Sequence, residues 1–265
     1  MRERFVEIKT AEGLMDAFVT HPEENGPFPA VILYMDIWGV REELYEIARR
    51  VGAEGYYCMV PDFYYRSGKR LHFEFRNELN RTISIDRLQG EALREIQARP
   101  KLATKMIMDD TGAILNFLDA ADEVRRGGVG AIGFCMGGRY VMGAAGTYPE
   151  RFVASASLHG TTLISDRDDS PHRLAAKMRG EFYCGFAEHD SHAPLPMIQE
   201  LEKLLKPCPV QYRFIIHPGT AHGYSLPDRD VHDKQATARD WEHIFAMFHR
   251  RIPPQAGPEE SGPAS

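Results

Sequence analysis

Gly133-Phe134-Cys135-Met136-Gly137 is the stretch on which the reading of this chain turns. A run with the character of a buried strand, Gly128-Val129-Gly130-Ala131-Ile132, stops there, and a helical pattern begins at once. Glycine on either side of a potential nucleophile is the spacing of a sharp strand-to-helix elbow, here with a thiol at its centre. A nucleophile on such a turn sits in a strained backbone conformation, and the flanking positions must lack side chains for the turn to close. The plainer reading is a glycine-bearing turn around a small buried cysteine, because free cysteine is among the most buried residue types.

The surrounding pattern gives the elbow a fold. Residues 4–9 and 14–20 alternate around Ala11-Glu12-Gly13 and predict an N-terminal antiparallel hairpin. Pro29 to Met35 is a continuous apolar run, as expected of a strand covered on both faces. A helix over about 41–53 and a strand at 56–60 follow. Helical stretches over about 84–98 and 104–121 then lead to the elbow strand. Beyond the elbow helix, strands at 153–158, 181–187 and 210–216 alternate with helices near 171–178, 194–205 and 234–250. Alternating β and α elements predict an α/β class with a mostly parallel central sheet and helices on both faces.

We read residues 1–252 as one domain, with 63–100 either a cover over the site or a solvated loop and helix face. The stretch 253–265 lacks large apolar residues and is expected to be disordered.

Composition narrows the function. A formal net charge of −6 over 265 residues gives no basic field for nucleic acid. No apolar run approaches the roughly 18 residues of a membrane span, and the charged N-terminus is no signal peptide. The four cysteines, Cys58, Cys135, Cys184 and Cys208, form no C-x-x-C pair, which argues against a structural zinc site and a disulfide framework. We expect a cytoplasmic protein, monomer or homodimer, with Cys135 a free thiol, Cys58 and Cys184 buried in strands, and no metal or cofactor.

A thiol is only a few per cent ionised at neutral pH, so a catalytic cysteine needs a base or a positive field. The helix following Cys135 supplies part of that field. The elbow's partners come in the order nucleophile, acid, histidine, each on a loop after a strand. Asp190 follows one strand and His222 the next, and both fit that order. Asp190 would orient His222, and His222 would exchange a proton with Cys135. The competing readings are Asp190 as a helix cap, Glu188 as the acid, and His222 as one of 11 histidines on a loop by chance.

The turn Asp36-Ile37-Trp38-Gly39-Val40 follows the first parallel strand. The backbone N–H groups of Ile37 and Met136 would there converge on a developing oxyanion. Trp38 would be packing or would line an acyl pocket. A metal-dependent alternative built on His189, Asp190, His192 and His217 lacks the helical spacing of common zinc motifs. A binding or sensor module on the same scaffold is the other alternative.

Over most of residues 5–250 the chain resembles the dienelactone hydrolase family. The resemblance rests on Gly133 to Gly138, on Asp36-Ile37-Trp38-Gly39-Val40 and on Val60-Pro61-Asp62-Phe63-Tyr64, with Asp190 and Ala221-His222 at the remaining motif positions. It implies an α/β-hydrolase fold and a Cys135–His222–Asp190 triad. The implied chemistry is the opening of a small-molecule ester or lactone through a thioester. The family usually has Glu at position 36, where the carboxylate interacts with the resting cysteine; Asp36 is one methylene shorter. The arginine that dienelactone-cleaving members carry four residues after the triad histidine is Leu226 here. Arg229 and Arg81 are then the candidates for binding an anionic substrate.

Overall fold

The computed structural model describes residues 1–254. Eight strands form one sheet in the order β1-β2-β4-β3-β5-β6-β7-β8. The N-terminal hairpin pairs β1 (Arg2–Thr10) with β2 (Gly13–His21) in antiparallel register, and β2 pairs antiparallel with β4 (Tyr57–Pro61). From β4 through β3 (Ala30–Tyr34), β5 (Val129–Phe134), β6 (Phe152–Leu158), β7 (Glu181–His189) and β8 (Gln211–Ala221), every pairing is parallel. This is the mostly parallel sheet with an N-terminal antiparallel hairpin that the alternating pattern predicts.

Every residue of β3, β4 and β5 is buried, which explains why these strands read as apolar runs rather than as alternation. The helix α1 (Glu42–Ala53) packs beside α6 (Lys234–Arg251), with the Arg50 guanidinium 4.5 Å from the Trp241 ring. The helix α3 (Thr104–Ala120) packs against α4 (Met136–Thr147), and α4 packs on β5 and β6.

The topology also locates the site. From β3 the chain crosses leftward to β4, then returns past β3 to β5 and continues rightward. A crevice opens outside the carboxyl ends of parallel strands where the winding direction reverses. Here that point lies between the ends of β3 and β5, which carry Asp36 and Cys135.

Two expected helices differ. The stretch 84–98 is a single 3-10 turn, Ile85–Arg87, followed by the shorter helix α2 (Gly90–Ala98). Gly90 at φ 58° makes the break between them. The stretch near 171–178 is a 3-10 helix, Pro171–Lys177. The helix near 194–205 is α5 (Leu195–Leu205). In the 63–100 segment, Ile85 and Arg99 border the cavity above Cys135. The C-terminal stretch read as disordered lies, from residue 255 on, outside the described residues. Among the described residues no helix is long and apolar enough to cross a membrane.

Candidate active site

Cys135 sits between β5 and α4 at φ 53°, ψ −117°, a conformation that L residues avoid. The surrounding backbone holds it there. Its N–H donates to the Leu158 carbonyl at 3.0 Å, and its own carbonyl accepts from Gly138 N at 3.0 Å and Thr161 N at 3.1 Å. The glycines are sterically required. A Cβ on Gly133 would lie 2.3 Å from the Gly137 carbonyl oxygen, and one on Gly137 would lie 2.3 Å from the Tyr34 carbonyl oxygen. Both obstacles are backbone.

His222 follows β8 directly, and Asp190 follows β7. His222 Nδ1 is 2.7 Å from Asp190 Oδ2 in a buried contact. The other Asp190 oxygen accepts from the His192 backbone N–H at 2.8 Å, which fixes the carboxylate plane. The His222 ring is held edge-on between His159, centroids 5.0 Å apart, and His192, 4.8 Å apart.

Burial disfavours charge on His222, but the Cys135 sulfur and the Asp190 carboxylate outweigh it and raise its pKa to about 10. Glu188 is exposed and accepts from Gly219 N at 2.7 Å, so Asp190 is the acid that meets His222.

The turn after β3 is organised by Asp36, which is fully buried. Its Oδ1 accepts from Trp38 N at 3.0 Å and from Arg41 Nη1 at 2.8 Å; its Oδ2 accepts from Arg41 Nη2 at 3.2 Å and Arg229 Nη2 at 2.5 Å. Both oxygens are thus committed to an aspartate turn and two guanidinium groups. Burial would raise its pKa, but Arg41 and Arg229 bring it below the usual carboxylate value. Tyr64 Oη donates to the Ile37 carbonyl at 2.9 Å, pinning the peptide on the other side. Among the described residues, no protein acceptor meets the N–H of Ile37 or that of Met136.

Two cavities meet at Cys135 and His222. The smaller is bordered by Asp36, Trp38, His159 and Arg229. The larger, about 400 Å3, extends toward Arg99, Arg139, Thr161 and Thr162. Arg229 stacks over Trp38, 4.6 Å from the ring. Arg81 lies elsewhere: its guanidinium donates to the Pro227 carbonyl, and it borders an outer depression with Asp230 and His232.

His217 is turned away, with Nε2 2.7 Å from Asp240, and among the described residues no three histidine, cysteine or carboxylate side chains come together as a metal site. Cys58 and Cys184 are buried, and burial raises the pKa of both thiols.

Three site residues escaped the sequence reading. Arg41 resembled an ordinary first helical residue. Arg139 stands on α4, one turn beyond Cys135. His159 lies just past the end of β6, beside the elbow strand, and that position was its only signal. It is fully buried, its ring nitrogens have no partner among the described residues, and it adopts φ 39°.

The fold has close counterparts. The crystal structure of a "Putative Dienelactone Hydrolase" from Klebsiella pneumoniae superposes with a TM-score of 0.79 at 18% identity, covering 94% of this chain and 98% of that one. Est1E from Butyrivibrio proteoclasticus superposes at 0.62 with 12% identity, covering 92% and 98%. In sequence, the "Putative carboxymethylenebutenolidase" of Synechocystis sp. is 24% identical over 238 residues, 89% of this chain and 91% of that protein. A protein of the same name from Methylorubrum extorquens is 22% identical over 249 residues, 92% and 80% respectively. The profile of the dienelactone hydrolase family matches residues 15–252, and the chain belongs to that family.

Proposed function

We propose that the protein hydrolyses small esters or lactones, with Cys135 as nucleophile. The observation that carries this reading is the buried contact of His222 Nδ1 with Asp190 at 2.7 Å, which leaves the other face of the imidazole to the Cys135 sulfur. His222 and Cys135 form an imidazolium–thiolate pair, stabilised by Asp190 and by the N-terminus of α4. The thiolate attacks the carbonyl carbon, and the N–H groups of Ile37 and Met136 receive the oxyanion. Collapse of the tetrahedral adduct expels the alkoxide, which takes the His222 proton, and leaves a thioester on Cys135. In a lactone the alcohol stays tethered to the acyl group. Water then gives a proton to His222 and attacks the thioester, releasing the carboxylic acid and restoring the thiolate–imidazolium pair.

The family membership and the strained elbow support hydrolysis; the cysteine-specific route rests on the thiol's position and its imidazole neighbour. The test is turnover of p-nitrophenyl acetate by the parent, Cys135→Ser and Cys135→Ala proteins, with acid-quenched mass spectrometry for an acyl adduct. We expect loss of turnover in Cys135→Ala and an adduct on the peptide containing Cys135 in the parent. Folded Cys135→Ala protein that turns over at the parental rate would remove Cys135 from the mechanism.

A further inference from the structure

Asp62-Phe63-Tyr64 leaves the end of β4 as a buried turn, with all three residues at most 1% exposed. Asp62 shapes it. Its N–H donates to the Asp16 carbonyl at 2.9 Å, its Oδ1 accepts from Tyr64 N at 3.0 Å, and its Oδ2 accepts from Arg70 N at 2.6 Å. An aspartate that accepts from the N–H two residues on makes an Asx turn, which here sets the direction in which the chain delivers Tyr64. Packing fixes the two rings. Phe63 stacks on Tyr34 of β3 at 5.3 Å, and Tyr64 meets Phe73 edge-on at 6.2 Å.

The Tyr64 hydroxyl ends on the Ile37 carbonyl oxygen, 2.9 Å away, and among the described residues it is the sole donor to that oxygen. Ile37 is 4% exposed, so the carbonyl depends on this hydroxyl for its partner. Burial raises the pKa of the phenol, which therefore stays protonated, and a donor, at any working pH.

That bond completes the fastening of two consecutive peptides. The Ile37–Trp38 peptide gives its N–H to Asp36 Oδ1 at 3.0 Å and receives Tyr64 at its oxygen. The preceding Asp36–Ile37 peptide receives Gly39 N at its oxygen, at 3.3 Å. Of the four polar groups in these two peptides, only the Ile37 N–H lacks a protein partner among the described residues. Further along, the Trp38 carbonyl accepts from Phe73 N at 2.9 Å, and a Cβ on Gly39 would fall 2.2 Å from the Leu71 carbonyl oxygen. The segment from Arg70 to Phe73 thus ties the two turns together, at Asp62 on one end and at Trp38 on the other. Peptide planes on either side of a Cα are coupled, so freeing the Ile37 carbonyl lets the Ile37 N–H tilt. An oxyanion donor tolerates little tilt, because its worth depends on a short, aligned contact with the developing charge.

We propose that Tyr64 is a positioning residue of the oxyanion hole: its hydroxyl, delivered by the Asp62 turn, locks the Ile37–Trp38 peptide and so holds the Ile37 N–H on the oxygen of the tetrahedral adduct. The proposal rests on the hydrolase reading above and adds the residue that sets one of its two oxyanion donors. Tyr64 acts through Ile37 and makes no hydrogen bond to the sulfur or the imidazole.

Two rate constants measured on the same proteins test it. kcat/KM for p-nitrophenyl acetate reports formation of the tetrahedral adduct. Alkylation by iodoacetamide, followed by mass spectrometry on the peptide containing Cys135, needs the thiolate but develops no oxyanion. In Tyr64→Phe we expect kcat/KM to fall by about ten- to a hundredfold, short of the about 10²–10³ for deleting an oxyanion donor outright. Alkylation should stay within about twofold of the parent. 3-Fluorotyrosine placed at position 64 keeps the hydroxyl and should hold kcat/KM within about threefold of the parent. Tyr65→Phe, which removes the neighbouring hydroxyl from Thr10 and Asp110, should leave both rates parental.

Parental kcat/KM in folded Tyr64→Phe overturns the proposal and leaves the hydrolase reading intact. So does an equal fall in both rates, which marks a general disturbance of the site, or a fluorotyrosine protein as slow as Tyr64→Phe. If Tyr64→Phe does not fold, Asp62→Ser takes its place, since serine keeps an oxygen for Tyr64 N but releases Arg70. There, a fall of about threefold or more in kcat/KM with parental alkylation supports the positioning, and any other result overturns it. A parent that turns over no ester sinks the hydrolase reading, and this proposal falls with it.

Discussion

Arg229 Nη2 donates to Asp36 Oδ2 at 2.5 Å across 193 residues of sequence, and it joins the turn after β3 to the loop after β8. With Arg41 and Asp228 the pair forms a cluster in which two carboxylates face two guanidinium groups, Asp36 through hydrogen bonds to both and Asp228 at 3.6 Å from Arg41 and 3.8 Å from Arg229. Removing Asp36 takes away the hydrogen-bonded carboxylate from two buried cations and leaves them only the longer contacts with Asp228. We expect Asp36→Ala to lower the free energy of unfolding by about 3–5 kcal/mol, read as a shift in urea midpoint. A loss below about 1 kcal/mol would mean that water reaches the cluster. The same variant frees the Trp38 N–H and loosens the peptide that carries the Ile37 N–H, so its kcat should fall even where the fold survives.

His222 makes a second prediction, with a definite sign. Its pKa is about 10 in the folded protein against an ordinary value of 6.5. A group whose pKa is raised by folding contributes stability that is fully present below about pH 6.5 and is lost as pH rises through about 10. The stability difference between the parent and His222→Asn should therefore be greatest at or below pH 6.5 and shrink toward pH 10. Asp190→Asn removes one of the two groups that hold the proton, so the imidazole midpoint followed by NMR should drop toward 6.5. kcat/KM should fall roughly a hundredfold or more, because the imidazole loses its orientation and its proton affinity together. An unchanged midpoint in Asp190→Asn would contradict the assignment of the partner acid.

How much of this was legible in sequence depends on whether the cause is local. The hairpin follows from alternation, the buried strands from apolar runs, and the elbow from a steric rule acting within five residues. The order of Cys135, Asp190 and His222 was readable because each follows a strand directly. The break at Gly90 was harder, because the flanking residues carry a helical pattern and only the backbone at one glycine interrupts it.

Arg229, Arg139 and His159 were the least legible in role, for a different reason. What each does depends on partners far away in the chain: Asp36 for Arg229, Leu102 and Thr162 for Arg139, His222 and Tyr224 for His159. Sequence spacing gives the residue type but not the neutralising partner, and that partner decides whether an arginine is a structural ion or a free cation.

The elbow glycines give a third prediction, about packing alone. In Gly137→Ala the new methyl meets the Tyr34 and Met35 carbonyl oxygens, at 2.3 and 2.8 Å, and neither is a flexible side-chain tip. Relief requires moving α4 away from β3, which would also shift Cys135. We expect a loss of stability at or above the top of the about 1–3 kcal/mol range for overpacking, with activity lost in step. Gly68→Ala, where an added Cβ meets nothing within 4 Å, is the comparison for backbone strain without a clash. Equal unfolding midpoints for the two variants would contradict the steric account.

His159 supplies the last prediction. Its ring is fully buried, both ring nitrogens lack partners among the described residues, and it borders the smaller cavity with Cys135 and His222. Burial first, then the charges of His222 and Arg229, hold its pKa well below the usual histidine value, so it is neutral at working pH. A buried polar group without a partner costs about 1–3 kcal/mol. A purely structural residue at this position would be better served by phenylalanine, which keeps the edge-on contact with His222 at 5.0 Å. On the hydrolase reading proposed above, the polar ring would serve as acceptor or donor to a polar group of the substrate or to the attacking water in that cavity. We expect His159→Phe to unfold at the same or a higher denaturant concentration than the parent while losing roughly tenfold or more in kcat/KM. Parental kcat/KM in a folded His159→Phe protein would assign the ring to packing alone.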